Sequence, residues 1–280
     1  MSWRPAAVAA ANGILVGSAM VATRFVVHQT GPASLALLRY AIGVCCLLPA
    51  LVVIGRQIRF ERRDLGPIAL LNYGLTSIPS ARAALIFAVL PLLTMILSAA
   101  LGHERLTLVK SAGVLLTIAG VALALGDKAL ERGTPGEGWI GELAVFASAL
   151  CGAVCSVLYR PYLRKYPTLP VSALAMLASV AFLAVLAAGE GFFSALPRFT
   201  IAGWGAVLFI GINSGVGYVL WLWALNHAPA TQVTVFLSLS PVTAAVLGAL
   251  VLAEPVSARA LLALACVVAG LWLAHRPDSR

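Results

Sequence analysis

The chain reads as an all-α integral membrane protein: ten transmembrane helices in two inverted repeats of five, with a markedly short third helix. Three observations lead there. The first is composition. Hydrophobic residues make up 61% of the 280 and charged residues 10%, where a soluble domain has about 45–50% and about 25%. Too little polar surface remains to coat a water-facing globule. The apolar runs are about 20 residues long, not the ~10-residue alternating runs of a membrane barrel. Each span is therefore a helix, which satisfies its own backbone in lipid.

The second observation is an echo at an offset of 150 residues. Pro91 to Glu104 and Pro241 to Glu254 each run from a proline to a carboxylate thirteen positions on. The same frame pairs Pro79 with Pro229 and Gly120 with Gly270. Nine identities in 46 positions is modest for an Ala/Leu-rich chain. The rarer residues recurring in one ungapped frame carry the reading of an internal duplication.

The third is charge. On a ten-span count, 12 Lys and Arg lie on the side of the N-terminus and 5 on the other, with Arg24 and Arg39 inside spans. That bias places both termini in the cytoplasm and the chain in the cell inner membrane. Each repeat then has five spans, and an odd repeat inserts its second copy upside down. Inverted repeats with a site at their interface, near the bilayer midplane, are a transporter architecture. The expected units are 1–126, a connecting loop at 127–138, and 139–276. The net charge of +9 is topogenic on this reading, and nucleic acid is not a partner.

The spans follow in order. Residues 6–27 form the first, too long for a signal-peptide core. Its Gly13-x-x-x-Gly17 is a close-packing signal between helices. The second, 33–54, carries Arg39, and a charged linker follows. The third is short: from Asp64 to Pro79 is 15 residues, against 25 from Trp204 to Pro229. Its apolar part, 65–75, would reach only ~16 Å of a ~30 Å hydrocarbon core. A half-span buried in protein, a nine-span protein, or a chain lacking an internal piece would each explain this. A nine-span count weakens the charge bias to 10 against 7, so ten spans are favoured. The fourth and fifth spans are 80–101 and 107–125. Residues 126–139 are the longest polar segment and the hinge between halves. The sixth span, 140–159, ends in a basic loop at 160–168. The seventh to tenth are 170–189, 201–225, 230–252 and 257–275.

These residues resemble the EamA family of the drug/metabolite transporter superfamily. The resemblance rests on the two five-span halves and on L-L-R-Y at 37–40. It rests also on A-L-N-H-A-P-A-T-Q-V-T-V-F-L-S-L-S-P at 224–241, running on to Glu254, and on the first-half partner of that segment, 74–104. It implies a cavity lined by both halves and transport of small organic solutes, often export of amino acids or other metabolites.

Candidate site residues come from the polar and kinked positions of the spans. Pro91 and Pro241 lack an N–H and free the carbonyls of Phe87 and Leu237. In lipid such a carbonyl needs a partner, so each break faces protein or a cavity. Ser238 and Ser240 stand beside the second proline. In the eighth span Asn213 and Ser214 are polar, and Tyr218 and Trp221 share a helix face at i and i+3. Asn213, Tyr218, Trp221 and Ser238 are the expected substrate-binding wall. Arg39 either snorkels to the headgroups or faces the bundle and meets an anionic substrate group. Arg24, near its span end, snorkels. Glu104 and Glu254 sit at membrane edges, where a carboxylate caps a helix, pairs, or holds a gate.

Enzyme readings fail. His103-Glu104 lacks the second histidine of H-E-x-x-H. Gly211 to Gly215 misses G-x-S-x-G by one position and has no strand before it. No phosphate loop occurs. The five cysteines lie in apolar runs without a C-x-x-C pair, so no metal or cofactor is called for. A solute carrier and a non-transporting membrane scaffold or sensor remain as readings, with the lipid bilayer and, for the first, an organic solute as partners. Monomer and homodimer fit the sequence equally.

Overall fold

The structure is a computed structural model that describes residues 3–54, 89–130, 138–252 and 258–274. All regular structure there is helical. The helices are α1 (Trp3–Val26), α2 (Pro32–Ile54), α3 (Leu90–Ala100), α4 (Leu108–Leu130), α5 (Gly138–Lys165), α6 (Thr168–Gly189), α7 (Ile201–His227), α8 (Ala230–Val235), α9 (Leu239–Leu252) and α10 (Ala258–Ala274). Among the described residues, four helices are long and apolar enough to cross a membrane: α1, α2, α6 and α7. The expected third span, the start of the fourth, Phe87 and Glu254 lie outside the described residues, as does the side chain of Arg24.

Large apolar side chains cover the outside, and polar ones are buried among the apolar core. Leu115, Leu158, Val185, Leu208, Leu250 and Trp272 are exposed, while Asn12, Thr117, Ser172, Ser179, Asn213 and Gln232 are buried. Water would not tolerate that outer face; lipid does.

Local sequence sets the helix ends. Pro32 begins α2, where a proline costs no helical hydrogen bond and its fixed φ suits the first turn. The Thr200 side chain caps α7 by accepting from Gly203 N–H at 3.0 Å. α6 is stopped by Gly191 at φ 78°, and Phe192 N–H returns to Ala187 O at 3.0 Å. Gly102 at φ 71° ends α3 the same way, with His103 N–H on Ser98 O at 2.8 Å. Both need the left-handed backbone that glycine takes without a Cβ penalty.

Two elements differ from the sequence expectation. The sixth span does not stop at residue 159: α5 continues through Pro161 to Lys165, so residues 160–165 of the expected loop are helical. Arg164 and Lys165 end that last turn, where cations favour the helix dipole. The ninth span is three pieces: α8, a 3-10 turn at Phe236–Ser238, and α9. Pro241 sits in the first turn of α9. The Leu237 carbonyl, which the proline leaves without its N–H, accepts from Ser240 Oγ at 2.7 Å. That bond supplies the partner the lipid cannot.

Small residues decide which helices touch. A Cβ on Gly13 or Gly17 would strike the Phe236 or Ser240 carbonyl oxygen, so α1 lies directly on the broken ninth span. Among the described helices the most extensive pairing is α4 with α10. A Cβ on Gly113 would stand 2.8 Å from Gly270 O, one on Gly270 would stand 2.7 Å from Gly113 O, and one on Gly120 would stand 2.9 Å from Ala263 O. Rising numbers on α4 meet falling numbers on α10, so the two run antiparallel.

Candidate functional site

α2, α5 and α7 meet around a polar, aromatic junction. α2 and α7 approach closely because both are glycine at the crossing: a Cβ on Gly215 would lie 2.8 Å from Gly43 O. One turn before Gly43, Arg39 turns into this junction. Its Nε donates to Ser214 Oγ, and its guanidinium stands 5.6 Å from the Tyr40 ring centre. Ser214 is the fourteenth residue of α7, ~20 Å along its axis from the helix start. An arginine snorkelling to the nearer headgroups would point the other way along α2. Ser214 Oγ in turn donates to Ile210 O at 2.7 Å.

One turn further along α7, Tyr218 donates its hydroxyl to Tyr159 of α5 at 3.3 Å. Tyr159 is buried, with Tyr218 and Trp221 packed against the same cluster. Tyr40 of α2 and Tyr218 pack against a second cluster in common. The structure therefore brings together Arg39, Tyr218 and Trp221 of the expected site. It adds Tyr40 and Tyr159, and it adds Ser214, noted above as a polar residue of the eighth span but not placed on the expected wall. Tyr40 stood beside Arg39 in L-L-R-Y, and that adjacency was the available signal. Tyr159, at a span end next to Arg160, looks like an interfacial aromatic from sequence.

The other expected residues lie elsewhere. Asn213 points a third of a turn away from Ser214. Its Nδ2 donates to Leu15 O at 2.7 Å and Ser18 Oγ at 3.2 Å, tying α7 to α1. Ser238 is buried in the 3-10 turn of the broken span. Pro91 occupies the first turn of α3. Glu104 accepts from Thr231 N–H at 3.2 Å and so caps the start of α8 across 127 positions. Arg160 lies within electrostatic reach of that carboxylate. Among the described residues no group of three or more His, Cys, Asp or Glu is placed to hold a metal.

The opposite ends of α2 and α6 meet at Glu190. Its carboxylate accepts from Ala33 N–H at 2.9 Å, Ser34 N–H at 2.8 Å and Ser34 Oγ at 2.7 Å. It is the N-terminal cap of α2, supplied from 157 positions away. Desolvation pushes this carboxyl up, but the three donors outweigh it and hold it below the ordinary carboxylate value. A depressed folded pKa gives stability that is present above the ordinary value and lost as pH falls through the folded one. Glu190→Ala is expected to cost about 1 kcal/mol at neutral pH, as caps do. It should also flatten the acid limb of the thermal-unfolding profile in detergent. A variant that keeps the parent's acid limb would show that Glu190 does not cap α2.

Comparison with known proteins places this arrangement. The model of the EamA-like transporter family matches residues 3–126 and 139–276. The chain is 30% identical over 274 residues to a probable terminal-alkyne amino-acid exporter of Streptantibioticus cattleyicolor, covering 92% of this chain and 89% of that protein. It is 26% identical over 274 residues to an uncharacterized transporter of Archaeoglobus fulgidus, covering 93% and 94%. A solved crystal structure overlays with a TM-score of 0.83 at 24% identity, covering 98% of each chain, and that likeness shows the fold. With both halves matched, the chain belongs to the EamA-like transporter family: it is a multi-pass membrane protein of a family of transporters, not an enzyme.

Proposed function

We propose that this protein is a secondary carrier that exports amino acids or related small organic metabolites across the cell inner membrane by alternating access. The moving parts are two inverted five-helix repeats, 1–126 and 139–276, joined by 127–138, with both termini in the cytoplasm. The observation that carries the reading is the bond from Arg39 to Ser214. It sets a permanent charge from the first half against a polar side chain of the second, half-buried between two apolar helices. An intramembrane charge of this kind marks a substrate or ion path by default.

The antiparallel α4–α10 crossing supports the inverted duplication. The 150-residue frame takes Gly113 to Ala263 and Gly120 to Gly270. The contacts Gly113–Gly270 and Gly120–Ala263 exchange under it, as a two-fold axis in the membrane plane requires.

On this reading Arg39, Ser214, Tyr218 and Trp221 line the solute path. Asn213 and Ser238 fix its walls. Pro91, Pro241, Glu104 and Glu254 belong to the helix breaks and gates. Glu104, holding α8 from the other half, is a cytoplasmic latch. Counterflow in liposomes tests the function: purified protein should carry carboxylate-bearing metabolites faster than protein-free vesicles, whereas a scaffold or sensor would show no flux.

The orientation has its own test. With the native cysteines replaced, single cysteines at 131–137 should react with an impermeant thiol reagent outside cells, and those at 166–168 should not. The reverse labelling would overturn both the orientation and the charge argument behind it.

A further inference from the structure

We infer that the site at Arg39 takes a solute of net single negative charge, whose carboxylate serves as the counter-ion of the guanidinium, and that the carrier consequently works as an exchanger. This rests on the carrier reading above and narrows its substrate class. The guanidinium keeps its proton under all ordinary conditions. Among the described residues its partners are one hydroxyl, Ser214, and one aromatic ring, Tyr40. Both are neutral. The sequence sets no Asp or Glu at the centre of any span, and the two carboxylates whose side chains are described, Glu104 and Glu190, are taken up in capping α8 and α2.

Arg39 is half-buried, and a charge held partly out of water among neutral groups gains from a counter-charge set beside it. A planar carboxylate fits the guanidinium in a fork of two parallel hydrogen bonds. The rest of the junction is neutral as well. Tyr40, Tyr159 and Tyr218 offer hydroxyls and ring faces but no negative charge. Serine 214 and Tyr218 are one helical turn apart on one face, ~6 Å. That spacing suits a solute with its carboxylate at Arg39 and a neutral polar group among the tyrosines. A zwitterion would neutralise nothing, because its ammonium restores the positive charge beside Arg39. An amino-acid amide or ester, which keeps its ammonium and loses its carboxylate, would add a second cation. N-acylated, 2-oxo, 2-hydroxy or acidic amino acids meet the requirement.

The exchange follows from the same charge. Loaded, the site is neutral and can change its access across the apolar bundle. Empty, the bare guanidinium must stay with water on one side. Net efflux into solute-free medium is then slow, and solute on the far side accelerates it.

The test uses full-length protein in liposomes and matched trios on one side chain: the free amino acid, its N-acetyl derivative and its amide, for leucine, phenylalanine and alanine. The N-acetyl anion should move at least tenfold faster than the zwitterion in at least one trio, and the amide should not move. Preloading the anion on the far side should speed uptake at least tenfold. Arg39→Lys, which keeps the charge, should keep that order at reduced rate. Arg39→Met should lose both the order and the trans-acceleration. Folded yield by size exclusion accompanies each variant. Zwitterions moving as fast as anions would overturn the charge assignment and leave the carrier reading standing. Flux without trans-acceleration would overturn the exchange. No flux of any probe would sink the carrier reading and this inference with it.

Discussion

Gly270→Leu is expected to abolish folded protein, while Gly205→Leu leaves the yield unchanged. At Gly270 even a Cβ would lie 2.7 Å from Gly113 O, Thr117 N and Thr117 Cγ2. Two of those atoms are backbone, which cannot rotate away. The clash is relieved only by parting α4 from α10, and that pairing is the largest among the described helices. Extra methylenes in a core that can relax cost about 1–3 kcal/mol, so Gly270→Ala should already lie in that range. Leucine adds three more carbons at a site with no give, against a total stability of only about 5–15 kcal/mol. In membrane helices the loss is of packing itself, since lipid is as apolar as leucine and offers no hydrophobic compensation. A Cβ at Gly205 meets nothing within 4 Å, so its leucine faces the lipid. Detergent-extracted yield and thermal unfolding would read both. Gly120→Leu should behave like Gly270→Leu, because the 150-residue frame makes the two positions equivalent. A well-folded Gly270→Leu would mean that α4 and α10 do not cross at these glycines.

The second large effect is expected at Arg39. Arg39→Met should lower flux of carboxylate solutes by about 10- to 100-fold, since hydrogen bonds to a charged group contribute about 1.5–3 kcal/mol. Folded yield should stay near that of the parent. Methionine keeps the apolar stem and removes a charge whose partners, among the described residues, are Ser214 and the Tyr40 ring. Ser214→Ala should act through the same bond with a smaller loss. Its Oγ orients the guanidinium but brings no charge. The combined variant should cost little more than Arg39→Met alone, because the two side chains act as one unit. Full additivity would show that Arg39 and Ser214 serve different tasks. An Arg39→Met protein that transports like the parent would remove the arginine from the solute path.

Sequence alone determined the membrane class, because a chain so poor in charge has one solvent left to it. It determined the duplication, because Pro, Glu and Gly recur in one frame. The need of the Leu237 carbonyl for a partner was legible too, since it follows from a proline four residues on. Tyr218 and Trp221 share a face by helical spacing alone. These are local or periodic properties, and a helix expresses them whatever surrounds it. Tertiary structure decided what stands opposite each face. Asn213 and Ser214 are neighbours in sequence, yet one bonds α1 and the other Arg39. About 100° of helix rotation separates them, and only the packing of whole helices says which neighbour each angle meets. Glu104 reads as an edge carboxylate, and its partner Thr231 lies 127 positions away. Tyr159 joins the site because α5 runs beside α7. Such pairings depend on glycine-to-backbone contacts such as Gly43 with Gly215, which no single helix encodes by itself.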